Sequence, residues 1–336
     1  MKIKQEIKRF TGGSLSETGL YVDDGFSFVR KKVNLKRNRE YGFNRWYSQL
    51  KKTLRFHHLY PNVFPYVFRY GRDDGYAFFD MSFYEGMVDA HSFIVGTRDY
   101  GLIDQFFNVL VKQMEALYRN HFESKPGVIG LYLFEEVEKK LLDAQKNVSV
   151  KGFMEYDTVV FNGVEVPGFV SVLGEYEKVF KKYYKEDVES FTHGNITLEN
   201  LLYDPGDGRL LFIDLYDENI IDSPLCEYSQ LLQSSSSKYE LYNKSGFDIV
   251  SNCVTCSVDE YPGLEYFNYK LVDYLRHRFT SDQIFCIRLF EISQFIRMLP
   301  FKACCDADKA IFFYCYASYL YYKLKESEGG LWKIDG

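Results

Sequence analysis

Residues 193 to 217 read His193-Gly194-Asn195-Ile196-Thr197-Leu198-Glu199-Asn200-Leu201-Leu202-Tyr203, a turn, then Leu211-Phe212-Ile213-Asp214-Leu215-Tyr216-Asp217. A small polar loop ending in asparagine, followed by an apolar strand that ends in aspartate, suits a magnesium–nucleotide site. Asn200 offers a neutral amide oxygen and Asp214 an anionic carboxylate. Both are hard oxygen ligands of the kind that hold Mg²⁺ against phosphates. Five residues before Asn200, where an aspartate would accept the proton of an attacking hydroxyl, the chain has Asn195. His193 has no second histidine at a ligand-like spacing, so its expected task is to orient the loop through hydrogen bonds.

The run resembles the catalytic and metal loops of the aminoglycoside phosphotransferase and choline kinase group, within the protein-kinase-like fold. That group usually shows His-Gly-Asp, four residues, Asn, and then a hydrophobic strand ending in Ile-Asp. Protein kinases carry a Gly after the Phe of their metal motif, where this chain has Leu215-Tyr216. No Ala-Pro-Glu activation segment is recognisable either. The match is dense over residues 191 to 224 and only patterned elsewhere.

The resemblance implies an ATP- and Mg²⁺-dependent phosphotransferase acting on a hydroxyl of a small molecule, such as a sugar or an amino alcohol. Asn195 then marks the base position of the acceptor hydroxyl. A neutral amide aligns a hydroxyl but is a negligible base at pH 7, so the activity is weakened or absent. The alternative is a nucleotide-binding pseudokinase that regulates a partner protein.

Further residues take roles in that scheme. Gly12, Gly13 and Ser14 sit between the first two strands, where backbone N–H groups and a hydroxyl can approach phosphate. A Gly-Gly turn in an ordinary hairpin is the plain alternative. Lys31, on the third strand, could pair with the α- and β-phosphates, or simply end a solvated basic strand. Glu40 is the one glutamate between Lys31 and Leu54, hence the natural ion-pair partner for that lysine. Phe83, Tyr84 and Glu85 mark a hinge whose backbone would hold adenine. Asp217, Glu218 and Asp222 lie where the resembled family recognises its acceptor, and their charge favours a cationic or polyhydroxylated one. Asp222 and Ser223 could equally cap a helix with Pro224 in its first turn.

These residues need a scaffold, and 336 of them can bury a sizeable core. The expected fold is α+β, bilobal and protein-kinase-like. A small strand-rich N-terminal nucleotide-binding lobe with one long helix spans 1–82, a hinge 83–87, and a mostly helical catalytic and acceptor-binding lobe 88–336. Short β-prone runs fall at Ile7–Phe10, Gly19–Val22, Phe26–Val33, Val63–Tyr70 and Tyr76–Phe83, split by Gly12-Gly13, Asp23-Asp24-Gly25 and Arg72-Asp73-Asp74-Gly75. Helical spacing runs from Leu35 to Leu54, with Tyr41, Trp46, Leu50 and Leu54 on one side. Further helices are expected near 99–120, 131–146, 166–184, 225–234, 264–279, 282–297 and 307–325, and Ser234 to Ser237 reads as a surface loop.

The bulk composition narrows the partners. A net charge of −6 argues against a dedicated nucleic-acid surface. No stretch approaches the roughly 18–20 apolar residues of a spanning helix, and the N-terminal run lacks an apolar signal core. Seven cysteines, with one C-x-x-C at Cys253 and Cys256 and an adjacent pair at Cys304-Cys305, suit reduced thiols better than disulfides or zinc. A cytoplasmic protein without nucleic-acid or membrane partners is expected. The 29 Tyr and 30 Phe are mostly core material.

Overall fold

A computed structural model describes residues 5–10, 16–36, 41–185 and 188–327. Gly12, Gly13, Ser14 and Glu40 lie outside the described residues. The chain is α+β, with an antiparallel-sheet N-terminal region holding one long helix and a mostly helical C-terminal region. It divides into two compact units that do not follow chain order. One takes residues 1–93, 104–113 and 193–219; the other takes 94–103, 114–192 and 220–336.

The first unit is built on five antiparallel strands: β1 (Gln5–Phe10), β2 (Ser16–Asp23), β3 (Phe26–Asn34), β4 (Val67–Asp73) and β5 (Tyr76–Ser82), in the order β1-β2-β3-β5-β4. Two turns set its register. Asp24 and Gly25 have φ of 48° and 82°, and Asp74 and Gly75 have 47° and 80°. Paired positive φ values define the turn that matches strand twist, and Asp-Gly reaches them at low cost. Between β3 and β4 runs helix α1 (Tyr41–Leu59).

α1 lays Trp46 and Leu50 onto Val33, Val67, Ala77 and Phe79 of the sheet, with Phe43, Leu54 and Met81 at the margin. Because strand side chains alternate, Lys31 shares the face of Val33, while Arg30 points to the other. There Arg30 and Arg69 enclose the fully buried Asp80 at 2.6 and 2.5 Å. The helix begins later and ends later than the Leu35–Leu54 periodicity indicates. Leu35 instead donates its N–H to the Gly75 carbonyl in a turn after β3, so the Asp74-Gly75 hairpin captures it before a helix can start.

The same unit contains a second, smaller sheet, with Val88–Asp89, Leu201–Asp204 and Arg209–Phe212 antiparallel. Phe212 packs edge-on to Phe64 and donates its N–H to the Val63 carbonyl at 2.7 Å. This ties the strand before Asp214 to the segment following α1.

The second unit is mostly helical. Ser281–Cys305 and Ala307–Glu326 are largely buried, and Phe290, Phe295, Phe312, Phe313 and Tyr316 form much of its core. Thr280 and Gln283 make a reciprocal capping box at the start of one, and Asp306 caps the other. The segment near 131–146 is helical with a π turn at Phe134–Glu138. The helix expected near 166–184 runs Phe169–Tyr183 and is preceded by a hairpin of Thr158–Phe161 and Val164–Pro167.

One expectation is reversed here. Ser234 to Ser237 is not a surface loop: Ser234, Ser235 and Ser237 are buried at a helix end. Their hydroxyls donate to Glu240, Asn268 and Glu291 at 2.6, 3.1 and 2.5 Å, so bonded polar groups replace solvent. The seven thiols are unpaired. Among the described residues, no helix is long and apolar enough to cross a membrane.

Candidate functional site

His193 is fully buried, and each ring nitrogen has a bond. Nε2 faces the Ile213 carbonyl at 2.7 Å, and Nδ1 accepts the Asn195 N–H at 3.1 Å. These partners require the neutral tautomer protonated on Nε2. Burial, aided by the nearby Lys52 charge, pushes the imidazole pKa down to about 3 against the opposing pull of Ile213, Asp214 and Asn195. His193 is therefore a neutral brace between the loop and the strand.

Gly194 follows with φ of +90°. A Cβ there would lie 2.3 Å from the Tyr216 carbonyl oxygen and 2.6 Å from Asn219 Nδ2. Only glycine allows the loop to lie this close to the chain beyond Asp214. Asn200 closes the turn. Its Nδ2 donates to the Asn195 carbonyl at 2.7 Å, and its own carbonyl accepts the Ile213 N–H at 2.9 Å.

Asp214 has a left-handed backbone, φ +59°, a region that Asp and Asn enter more readily than other residues with a Cβ. Its Oδ1 forms an ion pair with Lys31 of β3 and accepts from Gln49 Nε2 of α1 at 2.7 Å. Burial alone would raise the carboxyl. The Lys31 charge and hydrogen bond, the Gln49 hydrogen bond and the more distant Arg45 charge outweigh it and hold the pKa at about 2.

The rest of this segment is held from α1. Gln49 also donates to the Leu215 carbonyl at 2.9 Å. Lys52, whose side chain is 2% exposed, donates to the Tyr216 carbonyl and lies 3.7 Å from Asp217. Ser48 donates to Asp217 at 3.3 Å, and the Arg45 guanidinium sits 5.0 Å from the Tyr216 ring centre. Positions 45, 48, 49 and 52 share one helical face. Four consecutive residues, 214 to 217, are thus gripped by one stripe of α1.

The residues expected at a site divide accordingly. Lys31, Asn195, Asp214, Asp217 and Glu218 line one recess with Arg45 and Gln49. His193 and Asn200 are not among its lining residues and brace the loop to the strand and to itself. Phe83, Tyr84 and Glu85 follow β5 as an irregular link with Phe83 exposed, and do not line the recess. Asp222 belongs to the helical unit, where its carboxylate accepts from Thr192 Oγ1 at 2.5 Å and its N–H donates to Glu189 at 2.7 Å. Ser223 alone caps the helix Pro224–Ser235, accepting from the Leu225 N–H. Asp222 is tied to a neighbouring strand instead of sharing that cap. Arg45, Gln49 and Lys52 are absent from the sequence-based set, and their i, i+4, i+7 spacing was the one signal available.

A five-stranded antiparallel sheet with an inward lysine, a helix across it, and a His-Gly-Asn loop beside a strand that Asp214 follows two residues on define a protein-kinase-like fold. One solved structure shares that fold over most of its length. A protein assigned as a fructosamine-3-kinase from Haemophilus somnus 129PT superposes with a TM-score of 0.57 over 95% of this chain and 92% of its own, at 9% identity. An aminoglycoside-3'-phosphotransferase of type VIII gives 0.44 over 86% and 92%, at 11% identity. No protein-family model matches the chain, and no curated sequence matches it. The likeness is one of fold.

Proposed function

We propose that this chain is an ATP- and Mg²⁺-dependent phosphotransferase acting on a hydroxyl of a small molecule such as a sugar or an amino alcohol. The observation that carries the reading is Asp214. A carboxylate kept ionised by Lys31 and Gln49 is braced through His193 and Asn200 to the loop bearing Asn195. The fold likeness to a protein assigned as a small-molecule kinase supports it.

The donors present fit magnesium. Among the described residues, the bonds to Asp214 from Lys31 and Gln49 both fall on Oδ1, which leaves Oδ2 for a cation. The Asn200 amide nitrogen is committed to Asn195, which leaves its oxygen as the second ligand. Two protein oxygens suit a metal that keeps waters and phosphate oxygens in its shell. Among the described residues, no cluster of three or more His, Cys, Asp or Glu side chains would cage a metal without phosphate. When bound, Mg²⁺ would neutralise charge on the phosphates.

The protein's part is positioning. Lys31 would exchange its contact with Asp214 for nucleotide phosphate, Asp214 would hold the metal, and Asn195 would align the acceptor hydroxyl. The amide of Asn195 cannot take that proton at neutral pH. General-base help is typically worth ~10²- to 10⁴-fold. A loose transition state depends more on alignment and charge neutralisation than on early deprotonation, so slow transfer survives. Unpaired thiols and a net charge of −6 support a cytoplasmic protein with no nucleic-acid partner.

A second reading is a nucleotide-binding pseudokinase that regulates a partner protein. Asn195 and the direct closure of Lys31 on Asp214 favour it. Transfer assays on a sugar and amino-alcohol panel, with the chain as it stands and with Asn195→Asp, separate the two. The phosphotransferase reading expects slow transfer that the aspartate accelerates. If both proteins bind Mg-ATP and neither transfers phosphate, the enzyme reading fails and the binding reading stands.

A further inference from the structure

Lys31 and Arg45 line the recess, and Lys52 lies buried beside Tyr216 and Asp217. Lys31 is paired with Asp214. Lys52 is buried against the Tyr216 carbonyl and Asp217. Arg45 differs. Among the described residues no carboxylate lies within ion-pair distance of it, and its recorded contact is the face of Tyr216, 5.0 Å away.

That platform is rigid. Tyr216 donates its N–H to the His193 carbonyl at 3.0 Å and gives its own carbonyl to Lys52. Arg45 itself stands one turn before Gln49 on a helix anchored to the sheet by Trp46. The contact with Tyr216 holds the guanidinium charge at the recess that Asp214 lines. A planar guanidinium fork matches the oxygen geometry of phosphate and is less strongly hydrated than an ammonium.

We infer that Arg45 binds the phosphate tail of the nucleotide, acting as the charge-reading residue of the recess beside Lys31. The inference rests on the nucleotide reading above and deepens it. It also explains why α1, which has no Asp or Glu anywhere along its length, presents a basic residue where the recess opens.

The test is equilibrium binding of Mg-ATP and of adenosine to the full chain and to Arg45→Met. Loss of charge-assisted hydrogen bonds should weaken Mg-ATP by roughly 10- to 100-fold and leave adenosine unchanged, and Arg45→Lys should recover part of the loss. Arg45→Gln gives the same comparison if the Met variant melts early. Equal weakening of both ligands, or no weakening of Mg-ATP, overturns the inference while leaving the nucleotide site intact. If the unmodified chain binds neither ligand, the nucleotide reading falls and this inference with it.

Discussion

The His193 imidazole meets the Ile213 carbonyl at 2.7 Å, so a single buried ring joins the loop of Asn195 to the residue before Asp214. The two ends of the site are thereby set by one neutral side chain rather than by a charge pair. The arrangement has a direct consequence in acid.

The imidazole is held near pKa 3 in the folded chain, against 6.5 for an ordinary histidine. Between those values the unfolded chain binds a proton that the folded chain does not, so stability rises with pH there. The contribution is complete above about pH 6.5 and is lost as pH falls toward 3. Thermal melting should shift to lower temperature from pH 7 to pH 5, and the shift should be smaller in His193→Gln.

Gly194→Ala should disrupt the site without touching any proposed ligand. The added methyl carbon meets the Tyr216 carbonyl at 2.3 Å in a backbone of φ +90°. A non-glycine residue in a sparsely populated backbone region costs of order 1–3 kcal/mol even without a clash. Denaturant unfolding should show a loss of at least that size, and Mg-ATP binding should fall with it.

Lys52→Met removes a buried ammonium that serves the Tyr216 carbonyl and lies beside Asp217. Hydrogen bonds to charged groups are worth about 1.5–3 kcal/mol, and the variant should lose about that much in chemical denaturation. Gln49→Leu should weaken Mg-ATP binding as well, because it releases both Asp214 Oδ1 and the Leu215 carbonyl.

Within the helical unit, Arg288 and Glu291 form an ion pair at 2.7 Å with side chains 5% and 2% exposed. Ser236 accepts from Arg288 and Ser237 donates to Glu291. Removing one partner of a buried pair typically costs 3–5 kcal/mol. Glu291→Leu should therefore unfold at markedly lower denaturant, whereas Ser237→Ala should lose much less.

The sequence makes the 193–214 segment legible because its chemistry is local. A histidine, a glycine and an asparagine at fixed offsets before an apolar strand describe one loop–strand unit. The hairpins at Asp24-Gly25 and Asp74-Gly75 are legible for the same reason. Gln49 and Lys52 are not, since a neutral amide and a lysine on a helix gain meaning only when residues more than 160 positions later pack against them. Ser234 to Ser237 misleads because serine favours exposed loops, and here Glu240 and Glu291 supply the bonds that water would have made. Asn162-Gly163, with φ of 48° and 81°, is a hairpin signal that the helical pattern around it hides.

Asp214 carries the account, and its pKa near 2 keeps it ionised through the neutral range. The most direct measurement is titration calorimetry of ATP into the unmodified chain and into Asp214→Asn, each with and without Mg²⁺, at pH 7. The account predicts Mg²⁺-dependent binding in the unmodified chain and its loss in the variant. Equal binding by both proteins, or binding indifferent to Mg²⁺, would contradict it.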